Sequence, residues 1–371
     1  MYDALFEPFR LGRFTLPNRI VMAPMTRGFS HGGIPGPDVA EYYRRRAAGG
    51  VGLIITEGTW IEHPAASNDE NAPRFYGEDA LSGWRRVVDG VHAEGGRIMP
   101  QLWHTGLTRR PVAEHIYDAI NEDLSRKVSP SGYVMPGEKV GEGMTEREIA
   151  EVIEAYARGA ETAEKLGFDG IEIHGAHGYL VDQFFWHETN MRIDRYGQSL
   201  PGRATFAVEM IRACRARVSP DFPIVLRFSQ WKLADYDGRL AYSPAELEGL
   251  LGPLSDAGVD IFHASQRRYW LPEFENSSLN LAGWAKKLTG KPSITVGSVG
   301  LSTDMTASLS SAEPSLVADI DGVVDMLDEG AVDLVAIGRA LLSDPNWARK
   351  VQFGHLDQIQ PFSRNDLAAL T

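Results

Sequence analysis

Residues 171–185 read IEIHGAHGYLVDQFF, an apolar run that changes within a few positions into polar side chains. The isoleucines at its start are typical of a buried β-strand, because β-branched side chains fit a pleated surface. His174, His177 and Tyr179 follow directly, and the glycines between them allow the backbone to turn tightly. A strand that leaves a core and at once presents two imidazoles and a phenol predicts a functional site at its end.

Eight apolar runs of this kind recur along the chain, and each is followed by a helical pattern. They are RIVMAPM (19–25), VGLIITEG (51–58), RIMPQLW (97–103), DGIEIHG (169–175), PIVLRFS (223–229), VDIFHAS (259–265), PSITVGS (292–298) and VDLVAIG (332–338). Continuous valine, isoleucine and leucine without alternation is typical of parallel strands buried on both faces. The repeat predicts a (β/α)8 TIM barrel, an α/β fold, formed as a single domain over residues 1–371.

Short start and stop signals support the alternation of strands and helices. Thr145 with Glu148 is a capping box, and the helical spacing that follows runs to Gly167. Ser243, followed by proline, repeats the start signal. Residues 9–18, FRLGRFTLPN, predict a small hairpin that caps the bottom of the barrel.

The alternative fold is a doubly wound parallel sheet. It would need a glycine-rich dinucleotide-binding turn after the first strand. Residues 22–30, MAPMTRGFS, lack such a turn, so the barrel is the preferred prediction.

Three connections are longer than usual, and we expect them at the C-terminal face of the barrel, where such loops act as lids or specificity elements. They cover residues 104–144, 266–284 and 301–320. The second carries three aromatic residues, Tyr269 among them, which are predicted to wall a pocket. The third is rich in serine and alanine, a composition compatible with a mobile loop.

Composition narrows the class of protein. Of 371 residues, 43% are hydrophobic and 23% are charged, which is ordinary for a globular protein. The formal net charge of −13 would repel a polyphosphate, so nucleic acid is not an expected partner. The single cysteine, Cys214, precludes internal disulfides and thiolate clusters. No apolar run reaches about 18 residues and the start does not resemble a leader, so we expect a cytoplasmic protein without a membrane partner.

In a TIM barrel the chemistry lies where the strands end, so the side chains at those positions form the candidate site. They are Thr26, Gly58, Gln101, Trp103, His174, His177, Tyr179, Arg227, Gly297, Ser298, Gly338 and Arg339. Gly297 with Ser298, and Gly338 with Arg339, end the last two strands, where barrels commonly bind phosphate. Bare backbone N–H groups together with a guanidinium predict an anion site.

Two interpretations of the histidines remain open. A metal site would need a third ligand, such as His263 or His104, and would suit a metal-dependent hydrolase or lyase. Arg227 ends the neighbouring strand, however, and its charge would repel a bound divalent ion. Two imidazoles beside a guanidinium instead favour an oxyanion or a polarised carbonyl. We therefore assign no metal ligand.

Gln101 and Arg227 form a second group. An amide offers a donor and an acceptor together, as the edge of a heterocycle requires, and an arginine can neutralise charge on the ring. A phenol such as that of Tyr179 can act as a general acid toward a carbanion. A phosphate on one side and a ring edge on the other describe a phosphorylated heterocycle, and flavin mononucleotide (FMN) fits that description.

At these residues the chain resembles the Old Yellow Enzyme family of FMN-dependent ene-reductases, over nearly its full length. The stretches that carry the resemblance are LFEPFRLGRFTLPNRIVMAPMTR (5–27), HGAHGYLVDQFFWHETNMRIDRYG (174–197), SVG (298–300) and IGRALLSDP (337–345). Each stretch is moderately specific, and their order and spacing together are strongly so.

The resemblance implies a role for each matching position. The implied cofactor-binding residues are Ala23, Pro24, Met25, Thr26, Gly58, Gln101, His174, Arg227, Gly297, Ser298, Gly338 and Arg339. Thr26 would tune the flavin from its O4 side, Gln101 would read the pyrimidine edge, and Arg227 would stabilise the anionic reduced ring. The predicted substrate-binding residues are His174, His177, Tyr179, Trp103 and Tyr269. The predicted catalytic residues are His174, His177 and Tyr179.

The implied activity is hydride transfer from NAD(P)H, through the flavin, to the C=C bond of an α,β-unsaturated carbonyl or nitro compound. His174 and His177 would hold the oxygen of the acceptor, and Tyr179 would protonate its α-carbon. A flavin-binding protein without catalysis is an alternative, although a carrier needs no proton donor. The expected partners are therefore NAD(P)H and a small activated alkene. The sequence does not specify an oligomeric state, and a homo-oligomer is compatible with it.

The chain departs from the usual family pattern in several places. His177 stands where many members have asparagine, and Gln198 and Gly202 stand where glycine and asparagine are more usual. The stretch FSQWK (228–232) and the loop 301–320 also differ, which leaves the substrate preference open.

Overall fold

The structure, a computed structural model, describes residues 2–67, 69–108, 127–310 and 313–371. The strands within them are β1 (Phe9–Leu11), β2 (Phe14–Leu16), β3 (Ile20–Met22), β4 (Leu53–Trp60), β5 (Arg97–Trp103), β6 (Tyr133–Met135), β7 (Glu138–Lys139), β8 (Ile171–His177), β9 (Ile224–Lys232), β10 (Ile261–Ser265), β11 (Ser293–Val296) and β12 (Leu334–Ile337).

Eight of these strands are parallel and close into a barrel. Their order around the barrel is the order of the chain, β3, β4, β5, β8, β9, β10, β11 and β12, and β12 pairs with β3. Each of the eight apolar runs forms one of these strands, so the predicted TIM barrel is confirmed.

Helices alternate with the barrel strands and surround them. They are α1 (Asp3–Phe6), α2 (Pro37–Ala48), α3 (Glu78–Ala93), α4 (Glu146–Leu166), α5 (Leu180–Phe185), α6 (Leu200–Arg215), α7 (Pro244–Ala257), α8 (Leu281–Thr289), α9 (Met305–Ser310), α10 (Asp321–Asp328), α11 (Ala340–Ser343) and α12 (Trp347–Gln352). Short 3₁₀ helices cover His31–Gly33, Leu356–Gln358 and Arg364–Ala368.

The helix signals of the sequence are confirmed at α4 and α7. The Thr145 hydroxyl accepts from the Glu148 backbone N–H, and the Glu148 carboxylate accepts in return from the Thr145 N–H at 2.7 Å. Gly167 ends α4 in the left-handed conformation, with φ of 87°. Ser243 caps α7 by accepting from the Glu246 N–H at 3.3 Å.

Strand alternation decides which side chains reach the barrel interior. Along β8, Ile171 and Ile173 pack in the large hydrophobic core between strands and helices. Glu172 and His174 alternate with them and therefore point into the barrel. In such a barrel the inward-facing residues of alternate strands lie in common layers.

The hairpin formed by β1 and β2 covers the N-terminal end of the barrel, as predicted. Its Phe9, Phe14 and Leu16 belong to a separate hydrophobic cluster inside the barrel. The strand residues of this cluster lie at inward positions, such as Leu53 of β4 and Val225 of β9. The closed bottom leaves the carboxyl ends of the strands as the open face.

The long connections are described in part. Residues 109–126 of the first connection and residues 311–312 of the third lie outside the described residues. The hairpin of β6 and β7 belongs to the first connection, and α9 belongs to the third. Among the described helices, none combines the length and the apolar character needed to cross a bilayer.

Candidate active site

The carboxyl ends of the barrel strands open into a cavity of about 1410 Å³, with its open mouth included. All of the predicted site residues except Tyr269 line it, namely Ala23, Pro24, Met25, Thr26, Gly58, Gln101, Trp103, His174, His177, Tyr179, Arg227, Gly297, Ser298, Gly338 and Arg339. The residues predicted to bind an anion, those predicted to contact a ring edge and the two histidines therefore line one cavity.

The structure corrects the prediction for Tyr269. Its side chain is buried, with its hydroxyl beside Gly322 of α10, and its ring meets that of Trp270 edge-on at 5.1 Å. The same loop instead contributes Gln266 and Arg267 to the cavity. A loop aromatic can pack on a neighbouring helix as well as on a pocket, and the sequence pattern did not distinguish the two.

The backbone after β11 turns in a way that requires glycine. Gly297 has φ of 147°, and Ser298, with φ of 55°, is in the left-handed region. A Cβ atom on Gly297 would lie 2.7 Å from the carbonyl oxygen of Gln266, closer than real contacts allow. The chain thus passes close to the neighbouring loop at the point where an anion would meet the Ser298 backbone.

Arg339 lies immediately before α11 and is fixed by the connection that leads into α9. Its guanidinium donates to the carbonyl oxygens of Thr303 at 2.8 Å and Asp304 at 3.0 Å, and to Ser298 Oγ at 3.3 Å. Burial lowers the pKa of Arg339 to about 10, so it stays cationic at neutral pH. A cation held in place beside Gly338 and Ser298 can bind a phosphate.

Arg227 reaches the cavity from the middle of β9. It is 7% exposed and donates to the Pro24 carbonyl oxygen at 3.5 Å and to Ser265 Oγ at 3.3 Å. Its Nε has no hydrogen-bond partner within the described residues. Burial lowers the pKa of Arg227. Leaving a buried donor without a partner costs free energy. The Nε of Arg227 is therefore suited to bind an anionic or polar ligand group in the cavity.

A buried chain of polar side chains fixes the amide of Gln101. Its Nε2 donates to Glu172 Oε1 at 2.8 Å, and Glu172 Oε2 lies 2.6 Å from His263 Nδ1. Because the carboxylate takes one of the two amide N–H groups, the amide oxygen and the second N–H remain for a ligand. His263, the third ligand of the metal interpretation, is fully buried in this chain of contacts rather than grouped with His174 and His177.

His174 presents a neutral imidazole to the cavity. Its Nδ1 accepts from the Ala176 N–H at 3.3 Å, so in the neutral ring the proton lies on Nε2. Burial, together with the charge of Arg227, lowers the pKa of His174 well below its ordinary value. His174 can therefore donate one hydrogen bond to an oxygen in the cavity without carrying a charge.

His177 occupies an unusual backbone position and has a protein partner. Its φ is 67°, in the left-handed region, and its Nε2 lies 2.7 Å from Ser265 Oγ. Its ring stacks on Trp231, with centroids 4.4 Å apart and planes at 26°. Burial, the charge of Arg227 and the nearby His174 lower the pKa of His177 well below its ordinary value. In this arrangement Nδ1 is the nitrogen of His177 that remains for a ligand.

Tyr179 completes the group of aromatic side chains at the end of β8. Its ring meets His174 edge-on at 4.8 Å and Trp103 edge-on at 5.1 Å. The structure records no hydrogen bond for its hydroxyl within the described residues. Burial raises the pKa of Tyr179 to about 12, so the phenol keeps its proton. A protonated phenol whose hydroxyl is not engaged by the described part of the chain can deliver a proton to a ligand.

Sequence reasoning missed a number of lining residues. They are Trp231, Leu233, Ser265, Gln266, Arg267, Val296, Val299, Leu301, Met305, Thr306, Ala336, Leu342, Phe362 and Leu367. For two of them a signal was present, because Trp231 and Ser265 follow the inward-facing Arg227 and His263 at the even spacing of a strand. Phe362 and Leu367 come from the region after the last α-helix, where no comparable pattern exists.

The described residues do not support the metal interpretation. Within them, no three His, Cys, Asp or Glu side chains are grouped so that they could hold a metal ion. His104, the other suggested third ligand, is fully buried and pairs with His63, with Nε2 and Nδ1 3.0 Å apart.

Comparison with known proteins agrees with this geometry. The profile of the NADH:flavin oxidoreductase / NADH oxidase family matches residues 4–358. An NADH oxidase of Thermoanaerobacter brockii is 33% identical over 371 residues, which cover 97% of this chain and 52% of the relative. A 12-oxophytodienoate reductase 7 of Oryza sativa subsp. japonica is 41% identical over 223 residues, which cover 58% of this chain and 56% of the relative. The chain thus spans little more than half the length of these two proteins.

A solved structure with a similar fold is also that of a reductase. The structure of morphinone reductase in complex with tetrahydroNAD superposes with a TM-score of 0.78 and 26% sequence identity, covering 98% of this chain and 93% of that protein. Because the profile match extends over most of the chain, the chain belongs to the NADH:flavin oxidoreductase / NADH oxidase family, the FMN-dependent family of Old Yellow Enzyme.

Proposed function

We propose that the protein is an ene-reductase, which uses NAD(P)H and FMN to reduce the C=C bond of α,β-unsaturated carbonyl or nitro compounds. One observation carries the proposal: His174, His177 and Tyr179 line the same cavity as Ser298 and Arg339, the residues predicted to bind an anion. Relatives named as reductases of 12-oxophytodienoate and of morphinone support a small organic acceptor.

The residues of the cavity fit FMN. Ser298 and Arg339 would hold its phosphate, and the required glycine at 297 leaves the backbone there free to approach it. The amide oxygen of Gln101 would accept from a donor on the ring edge, and the Nε of Arg227, which has no partner among the described residues, would donate to an acceptor there. When bound, FMN supplies hydride transfer between the nicotinamide and the acceptor.

The two imidazoles would bind and polarise the acceptor oxygen. Both are kept neutral by burial and by the charge of Arg227, so each can contribute one N–H to a developing enolate oxygen. A preorganised donor of this kind is worth about 3 kcal/mol of barrier. The stack of Trp231 on His177 keeps one ring in its plane, so little reorganisation is needed.

Tyr179 would supply the proton that completes the reduction. Its hydroxyl is protonated across the physiological range because its pKa is about 12. Packing against Trp103 and His174 limits the directions in which the ring can point. The phenol would therefore protonate the α-carbon of the acceptor on the face that it covers.

Substitution Tyr179→Phe tests the function. The purified protein should be yellow with FMN, and NAD(P)H should still reduce the flavin of the variant under anaerobic conditions. Reoxidation of that reduced flavin by 2-cyclohexen-1-one should slow by about 10² to 10⁴, the usual contribution of a general acid. Stopped-flow absorbance of the flavin measures both steps. Equal losses in both steps, or a protein that stays colourless with FMN, would contradict the proposal.

A further inference from the structure

The turn that carries His177 and Tyr179 has a strained backbone. His177 and Gly178 are consecutive left-handed residues, with φ of 67° and 85°. The left-handed conformation is unfavourable for a residue with a Cβ atom, so surrounding contacts must hold His177 in it. Tyr179 follows at once, and its direction therefore depends on how this turn is held.

Every backbone polar group around Gly178 has a partner. Its N–H donates to Asp182 Oδ2 at 2.6 Å, and its carbonyl oxygen accepts from Gln183 Nε2 at 2.8 Å. The His177 N–H donates to Ser229 Oγ at 3.0 Å, and the His177 carbonyl oxygen accepts from the Leu233 N–H at 3.2 Å. The turn is thus fixed by α5 on one side and by the end of β9 on the other.

The acceptor for Gly178 is one half of a buried ion pair. Asp182 Oδ1 accepts from Lys232 Nζ at 3.0 Å, and both side chains are 0% exposed. The other two Nζ hydrogens are taken by the carbonyl oxygens of Ser229 at 3.2 Å and Gln230 at 2.7 Å. All three N–H groups of Lys232 and both carboxylate oxygens of Asp182 therefore have a partner, which fixes the orientation of the pair.

Stability alone does not explain this pair. Burial raises the pKa of Asp182 to about 6 and lowers the pKa of Lys232, so both groups are desolvated at a cost. A buried ion pair is often no more stable than an apolar pair of similar volume. Neither side chain contacts the acceptor-binding atoms of His174 or His177, so a direct catalytic role is not indicated.

We propose that Asp182 and Lys232 are positioning residues for the active-site turn. The carboxylate, oriented by the ammonium group, holds the Gly178 N–H and so keeps His177 and Tyr179 in their working directions. This inference rests on the proposed function, because it assigns the pair to the step in which Tyr179 donates a proton. It predicts a defect in that step and no defect in FMN binding.

Two double variants distinguish a positioning role of the Asp182–Lys232 pair from an effect of its charges and from a loss of folding. Asp182→Asn with Lys232→Gln keeps an acceptor for Gly178 and a donor–acceptor contact between the two side chains. Asp182→Leu with Lys232→Met fills a similar space with no polar atom. Neither leaves a buried unpaired charge, so both are expected to fold. Binding of FMN, measured by fluorescence, and flavin reduction by NAD(P)H should match the wild-type protein in both.

Reoxidation of the reduced flavin by 2-cyclohexen-1-one is the deciding measurement. It should stay within a few-fold of wild type in the Asn/Gln variant and slow by at least about tenfold in the Leu/Met variant, since a shift of 1 Å in a reacting group can cost more than that. Should the Leu/Met variant fail to accumulate, Asp182→Leu with Lys232→Gln replaces it, because that variant also removes the acceptor of the Gly178 N–H and leaves no buried charge.

Tyr179→Phe, measured in the same series, distinguishes a failure of the positioning role from a failure of the proposed function. Equal reoxidation rates for the two double variants, alongside a slow Tyr179→Phe, would overturn the positioning role alone. A Tyr179→Phe variant that reoxidises at the wild-type rate would overturn the proposed function and the positioning role with it.

Discussion

At the scale of single residues, burial sets the protonation of the candidate catalytic group. The pKa of His174 and that of His177 lie well below the ordinary value for histidine, and the pKa of Tyr179 is raised to about 12. Two neutral N–H donors and a protonated phenol are the forms that the proposed reaction needs. The same low-polarity cavity thus produces all three.

The phenol of Tyr179 should resist deprotonation well above the pH at which an ordinary tyrosine ionises, about 10. Because its pKa is raised, the protonated form persists as the pH rises and is lost only near pH 12. We expect the tyrosinate absorbance of wild-type protein minus that of Tyr179→Phe to stay near zero up to a pH of about 11. Circular dichroism at each pH checks that the fold persists. A tyrosinate difference that rises with a midpoint near 10 would contradict the burial argument.

The sequence predicted which residue types meet at the cavity but not how they pair. His174, Arg227 and Gln101 were found from the predicted strand ends, because parallel strands run toward one face. In the structure β9 continues beyond Arg227 to Lys232. The contact of Gln101 with Glu172, which fixes the orientation of the amide, joins two strands far apart in the chain. Such partners depend on which side chains the closed barrel brings to one level, and a single sequence does not state that.

At the scale of elements, the hairpin of β1 and β2 closes one end of the barrel, and the carboxyl ends of the strands form the cavity at the other. The hairpin fills the N-terminal end of the barrel with Phe9, Phe14 and Leu16, while the cavity opens at the other end. The barrel strands were predictable, because continuous apolar runs without alternation are typical of parallel strands buried on both faces. The hairpin was predictable from residues 9–18. The placement of Tyr269 was not, because loop side chains are positioned by tertiary contacts rather than by a period.

Truncation of the hairpin core should weaken the fold and spare the site. Phe14 is 7% exposed, so Phe14→Ala should lower the free energy of unfolding by about 3 to 4 kcal/mol. Urea denaturation measures this loss, and FMN affinity should be unchanged because the cavity lies at the opposite end. Arg13→Ala is the matched control: its side chain is 88% exposed, and its ion pair with Asp221 is solvated. Loss of FMN binding in Phe14→Ala, at a temperature where the variant remains folded, would contradict the expectation that the hairpin contributes to stability and not to cofactor binding.

At the scale of the whole molecule, the eight strands bring together groups that are more than 300 residues apart in the chain. Thr26 of the first strand end and Arg339 of the last line the same cavity, because the barrel closes β12 against β3. We propose that this one cavity holds the phosphate, the flavin ring and the acceptor at once. The proposed chemistry depends on all three groups sharing it.

A crystal structure of the protein with FMN bound would show whether one cavity holds all three groups. We expect phosphate density beside Ser298 and Arg339, a flavin ring edge beside Gln101 and Arg227, and one ring face covered by His174, His177 and Tyr179. FMN bound in a different cavity, or a phosphate beside Arg339 with the histidines facing a space unconnected to the ring, would contradict it.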